Sequence, residues 1–338
     1  MTRKLFGVAT LALVALFGCN SSSGGGDTTG ATGTTGSAAS TAPPGNLPLV
    51  AFSQANSKDP WRQVFDSETK EAAEKHKNEF TVDEEAAEDD ASKQITQIET
   101  FTLRQPKVLL VSPADVNVGT ETDKVFASGT PVIMLDRSVP GNKFTCYIGG
   151  DNKDIARQAA EYIAKQLNGK GTVLMIQGKS DTTAAMDRKS GAVDAFKKYP
   201  GINLVIGDDC KFDRQTAQNF MEAYLQGRKP VDAVYAHNDE MAIGAYTAWE
   251  NATKGQAGAK RPIIVGIDGC QKEMIDMIKD GKIDATFKYP IPGPTGIELA
   301  AKLLKGEKPD SQQIILPTEL VTKDTAAKYE TDNPDLAK

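Results

Sequence analysis

From Leu49 onward the chain alternates short apolar, β-branched runs with longer stretches whose apolar residues recur on one helical face. The runs are Leu49–Phe52, Val108–Val111 and Val132–Leu135, then Thr172–Ile176, Ala233–Ala236 and Ile263–Gly266. Their length and residue types are those of buried strands. Between them, a spacing such as Ile155, Ala159, Ile163 and Leu167 places apolar side chains on one side of a helix. Strand and helix in strict alternation predict βαβ units with a parallel sheet. The pattern occurs in both halves, so the expected fold is α/β with two doubly wound lobes. A chain of 338 residues is long enough for that, since single cores stop growing near about 250–300 residues.

The pattern fails before Leu49. Arg3 and Lys4 precede an apolar stretch, Leu5–Phe17, that is too short to span a bilayer and reads as a signal peptide. Its end, Leu16-Phe17-Gly18-Cys19, resembles the lipobox of bacterial lipoproteins, in which the cysteine carries the lipid. Asn20–Asn46 is almost wholly Ser, Gly, Thr, Ala and Pro. Such a segment cannot bury enough apolar surface to offset its ordering entropy, and it reads as a flexible tether. Residues 1–19 are therefore expected to be a lipoprotein leader and 20–46 a tether, holding the body to a membrane in the periplasm or at the cell surface.

Composition narrows the function. The chain is 39% hydrophobic and 25% charged, ordinary for a globular protein. A net charge of −6 leaves no basic excess to neutralise phosphates, so a nucleic-acid partner is not expected. Cys146, Cys210 and Cys270 fit no zinc spacing and read as buried structural cysteines, with no bridge assignable from sequence. No glycine-rich phosphate loop, nucleophile elbow or cofactor fingerprint is present, and neither a cofactor nor a metal is expected.

In parallel sheets, ligands sit beyond the carboxyl ends of the strands. That rule selects Gln54–Arg62, Asp136-Arg137, Ser180–Arg188, Asn238-Asp239 and Asp268-Gly269. The same places carry a resemblance, in the strings Pro60-Trp61-Arg62, Leu135-Asp136-Arg137-Ser138, Asp187-Arg188-Lys189, Phe212-Asp213-Arg214, Tyr235 to Met241 and Gly266-Ile267-Asp268-Gly269. In this order, from about Leu47 to the C-terminus, the chain resembles the type I periplasmic sugar-binding proteins of ABC transporters, close to the ribose- and galactofuranose-binding members.

The resemblance implies two lobes joined by a three-crossing hinge, with crossings near Asp151, Tyr289 and Leu316. The first lobe would be residues 47–150 with 290–315, and the second 151–289 with 316–338. It also implies that Asp136, Arg137, Arg188, Asn238 and Asp268 hydrogen-bond a monosaccharide while Trp61 and Phe212 pack on its faces. Asp59 falls where ribose binders have an asparagine, and Arg62 where they have a second aromatic, more like the galactofuranose binders. Tyr289 and Asp59 complete the candidate set, and a hinge or a turn would explain either equally well.

The residue types suit that chemistry. A sugar presents hydroxyls at its rim and C–H groups on its faces. Ionised Asp only accepts, Arg only donates, Asn does both, and Trp offers a broad ring face. His237 ends an apolar strand and reads as structural, the acidic run Asp83–Asp90 as a solvated turn, and Lys189, Lys197 and Lys198 as an exposed helix face.

The expected function is a non-catalytic, monomeric solute-binding lipoprotein that delivers a pentose or hexose, the furanose form included, to an ABC permease. Competing readings are a ligand-binding module for a sensor kinase or chemoreceptor, a binder of an acidic sugar prompted by the three arginines, and a glycoside-active enzyme. Arginines beside Asp136 and Asp268 are expected to keep both ionised, which argues against a general acid.

Overall fold

The computed structural model describes residues 47–254, 256, 258–334 and 336. The leader, the lipobox Cys19 and the tether lie outside the described residues. Along the chain run β1 (Leu49–Gln54), α1 (Pro60–Lys75), β2 (Thr81–Ala86), α2 (Ala91–Leu103), β3 (Val108–Val111), α3 (Gly119–Ala127), β4 (Val132–Leu135) and β5 (Cys146–Gly150). There follow α4 (Asn152–Gln166), β6 (Lys170–Gln177), α5 (Thr183–Phe196), β7 (Gly201–Asp209), α6 (Arg214–Gln226), β8 (Ala233–Ala236), α7 (Asp239–Thr253), β9 (Ile263–Asp268) and α8 (Lys272–Lys279). The last elements are β10 (Ala285–Lys288), α9 (Gly293–Leu304), β11 (Gln313–Leu316), β12 (Glu319–Thr322) and α10 (Ala326–Asp332).

The strands make two six-stranded sheets, ordered β11-β5-β4-β3-β1-β2 and β12-β10-β9-β8-β6-β7. Every pairing is parallel except β10 with β12. Each sheet with its helices is a lobe, and together they are the doubly wound α/β architecture that the hydropathy pattern predicts. The chain passes between sheets after β5, after β10 and after β11. Both lobes belong to one compact unit.

The central strands β3, β4 and β8 are buried along their whole length, as their unbroken apolar runs require. Thr81–Ala86 differs from expectation. Its residues Thr-Val-Asp-Glu-Glu-Ala form the edge strand β2, paired in register with β1, so Asp83–Glu85 are strand residues and not a turn. An edge strand with a polar face carries little apolar signal, which is why its composition alone reads as a loop. In each sheet the order reverses beside the first strand of the lobe, β1 or β6, and the loops leaving the carboxyl ends of the strands there face a common cleft.

Candidate functional site

The first lobe sets its side chains by capping and by a strained turn. Asp59 caps α1, its Oδ1 accepting from the Arg62 backbone N–H at 3.0 Å, with Pro60 supplying the first helical position. Trp61 and Arg62 are thereby fixed in the opening turn, 5% and 2% exposed. β4 is followed directly by Asp136, whose φ of +64° is the left-handed conformation that only a surrounding network holds for a non-glycine residue. That network is explicit. Its N–H donates to Ile148 O at 2.9 Å, and its carbonyl accepts from the Tyr147 and Tyr289 hydroxyls at 2.9 and 3.3 Å.

In the second lobe, Arg188 comes from α5, Asn238 caps α7, and Asp268 closes β9 at φ +144°. The Asn238 Oδ1 accepts from the Met241 N–H at 3.0 Å, and its Nδ2 donates to Phe212 O at 3.2 Å. Phe212 precedes α6 at φ +61° and lays its ring over Gly178, where a Cβ would come within 2.1 Å of it. Only glycine leaves that space.

These loops bring all ten candidate residues, Asp59, Trp61, Arg62, Asp136, Arg137, Arg188, Phe212, Asn238, Asp268 and Tyr289, around one small cavity of about 40 Å³. Ala184 is the one further lining residue.

The charges are matched within the walls. Arg62 donates through Nη1 to Gln54 Oε1 at 3.0 Å and Ser112 Oγ at 2.8 Å, and through Nη2 to Asp136 Oδ2 at 2.5 Å. Its guanidinium also lies 4.9 Å from the Trp61 ring. Much of its fork is thus spent on the protein. Arg137 reaches Asp89 Oδ1 at 3.3 Å and Ala114 O at 3.2 Å. Arg188 donates through Nε to Asn152 Oδ1 at 2.8 Å and through Nη1 to the His237 carbonyl. The Phe212 ring lies 5.6 Å from the Arg137 guanidinium and 5.8 Å from that of Arg188, within cation–π range of both.

Asp268 departs from expectation. Among the described residues no group donates a hydrogen bond to its carboxyl, and burial, with Asp239 beside it, raises its pKa well above the usual range. Arg188 opposes this but does not prevail. Asp239, fully buried, accepts from Gly269 N at 2.8 Å and Thr286 Oγ1 at 2.6 Å, and burial pushes it up to about 7. Two adjacent buried carboxyls sharing one arginine cannot both ionise cheaply. The reading that arginines keep Asp268 ionised is therefore corrected.

Several supporting residues escape the sequence reading. Asp89 lies within the acidic run, yet its Oδ2 accepts from Asn56 Nδ2 at 2.8 Å and its Oδ1 from Arg137. Asn152 opens α4, holding Arg188 through Oδ1 and donating to the Tyr289 hydroxyl at 3.1 Å. Their spacing carries no pattern that would single them out; only the turns after β2 and β5 bring them to the cleft. His237 is buried, its Nδ1 accepting from Gly178 N at 3.2 Å while burial lowers its pKa, so it serves as a neutral structural ring. Cys146, Cys210 and Cys270 are buried free thiols.

Comparison with known proteins places this geometry. The family model described as "Periplasmic binding protein domain" matches residues 50–308. The ribose import binding protein RbsB of Haemophilus influenzae is 32% identical over 240 residues, 69% of this chain and 77% of that protein. The galactofuranose-binding protein YtfQ of Escherichia coli is 28% identical over 290 residues, 82% of this chain and 88% of that protein. Among solved structures, the fructose binding periplasmic domain of a hybrid two component system superposes with a TM-score of 0.80 at 31% identity, covering 85% of this chain and 94% of that one.

Proposed function

This chain belongs to the periplasmic binding protein family, and on that premise we propose that it captures one neutral monosaccharide between its lobes and delivers it to the permease of an ABC transporter. The family consists of binding proteins; this member is read as catalysing nothing. One observation carries the proposal: ten polar and aromatic residues from both lobes converge on a single small cavity with rings on its walls and charged forks at its edge. Arg62, Arg137 and Arg188 face Asp59, Asp89 and Asp136 in or beside the cleft, which favours a neutral sugar over a uronate. Relatives named for ribose and galactofuranose support a pentose or hexose, with the furanose form among the candidates.

The proposal includes a lipid on Cys19, residues 20–46 as its tether, a monomeric body and a periplasmic-side location. It divides that body into 47–150 with 290–315, and 151–289 with 316–338. A sensor module is the second reading, favoured by the likeness to a domain of a two component system. A neighbouring permease or kinase gene discriminates between them. The test of binding is a thermal-shift screen over pentoses, hexoses, furanoses, polyols and uronates, since a ligand bound only to the native state raises the melting temperature. Failure of every sugar and polyol to shift it would sink the proposal, and a uronate as the sole hit would replace the neutral ligand.

A further inference from the structure

Behind the Arg62 wall of the cleft lies a second layer of polar side chains, Gln54, Asp66 and Glu84, none of which lines the cavity. Gln54 ends β1 and is fully buried. Its Oε1 accepts from Arg62 Nη1 and from the Ala55 N–H, both at 3.0 Å, while its Nε2 donates to Asp66 Oδ1 at 2.7 Å. Asp66 follows Arg62 by one turn of α1 and is itself buried. Its carboxyl is hydrogen-bonded in turn to Glu84 of the edge strand β2, whose side chain is 13% exposed and stands 3.8 Å from Lys70.

We propose that Asp66 is a positioning residue for the sugar site: it holds the buried Gln54 amide in one orientation, and the oxygen so presented fixes the Arg62 guanidinium in the cleft wall. The proposal rests on the two-lobe binding reading. Hydrogen-bond roles dictate the orientation. Turned about, the Gln54 amide would set its NH2 against the Arg62 and Ala55 donors and its oxygen against the Asp66 carboxyl oxygen. Without Asp66, Nε2 becomes a buried donor lacking its acceptor, and the side chain relieves that by swinging away from Arg62. The guanidinium then loses one of the three bonds that hold it, those to Gln54, Ser112 and Asp136. A cleft group held in place beforehand loses little further entropy on binding, so a loosened Arg62 binds less well.

Glu84 supports the arrangement from behind. Burial and the neighbouring Asp66 raise it to about 7 against the pull of Lys70, so below that pH it keeps the proton that it donates to Asp66. That leaves Asp66 as the acceptor of two bonds, one from Glu84 and one from Gln54.

The test uses the full chain, titrated calorimetrically with D-ribose, D-fructose and myo-inositol as probes, and heteronuclear NMR of Arg62 with no probe added. Asp66→Leu should weaken the best probe roughly three- to tenfold and quicken solvent exchange of the Arg62 Nη protons by a similar factor, the range for one lost hydrogen bond. Asp66→Asn keeps an acceptor oxygen for Gln54 and should stay within about twofold on both counts. Gln54→Met breaks the relay at its other end. Combined with Asp66→Leu it should weaken binding no more than either change alone, whereas two independent structural losses would add. Melting temperatures identify a variant that fails to fold, and should Asp66→Leu do so, Gln54→Met against Asp66→Asn gives the same comparison. Unchanged Arg62 exchange, unchanged affinity or additive losses would each overturn the role of Asp66. Failure of all three probes to bind the unsubstituted chain would count against the binding reading instead, and the exchange comparison would still decide the positioning.

Discussion

Arg62 and Asp136, carried by the first turn of α1 and the end of β4, meet at 2.5 Å with their side chains 3% and 5% exposed. Taking two charges out of water is costly, and this pair is sustained because Gln54 and Ser112 occupy donors that Asp136 leaves over. Removing one partner therefore costs more than the pair contributes. Arg62→Met should destabilise the body by about 3–5 kcal/mol, seen as a lower urea midpoint. The double substitution with Asp136→Asn, which tolerates the left-handed backbone, should recover part of that stability while weakening sugar binding. A single-variant loss below about 1 kcal/mol would show that the pair is not what supports this wall.

Asp268 invites a substitution whose effects on stability and binding have opposite signs. Asp268→Asn removes a buried carboxyl that repels Asp239 and receives no donor among the described residues, so the melting temperature should rise or hold. The same change turns one carboxyl oxygen into an amide nitrogen that only donates, so a sugar hydroxyl loses one of two acceptor sites. It should weaken binding by up to about tenfold, the upper end for one neutral hydrogen bond. Isothermal titration with the best screening sugar measures the second effect, and unchanged affinity would remove Asp268 from the site.

The carboxyl pair also predicts a pH dependence. Asp239 is pushed up to about 7 from 3.8, and burial is the main cause. Between those values the folded chain keeps a proton that the unfolded chain has released, so this group's contribution to stability falls as pH rises from about 4 to about 7. Asp239→Asn should flatten that part of the profile, its Nδ2 facing Thr286 Oγ1, which can accept. Urea midpoints of both chains at about pH 5 and about pH 7.5 give the comparison, and parallel profiles would count against the assignment.

Thiol chemistry tests the anchor. Burial pushes Cys146 up to about 11, Cys210 up to about 12 and Cys270 well above the usual thiol range, so none should react quickly with a disulfide reagent at neutral pH. Any fast thiol in the native chain is then Cys19. Purified from its host, the chain should show no fast-reacting thiol if Cys19 carries lipid, and one per chain if it does not. Three buried thiols should appear in urea in either case.

What the sequence made legible follows the physics of each element. Strands such as Val108–Val111 and Val132–Leu135 are buried on both faces, so their apolar runs mark them residue for residue. Cys146–Gly150, which ends in two glycines, and Gly201–Asp209, an edge strand with alternating exposure, hide because their signal comes from neighbours. Cavity residues were legible because strand ends and the family strings point to the same loops. Residues behind them were not: Asp89 and Asn152 act through geometry that exists only after folding. The same blindness explains Asp268. An adjacent arginine is visible in spirit from the strings, whereas a second carboxyl brought under it by the β9 turn is not.

The burial of the cleft residues has a kinetic corollary. With Arg62, Asp136, Arg188 and Asn238 all under 5% exposed, nothing the size of a sugar can enter or leave the shut form. Release must run through lobe opening, a first-order event. Bound sugar should therefore leave at the rate at which the lobes part, whatever the concentration of a competing sugar. Uptake by whatever receives the sugar then depends on a partner able to hold the two lobes apart, because waiting for spontaneous release would leave the cargo where it is.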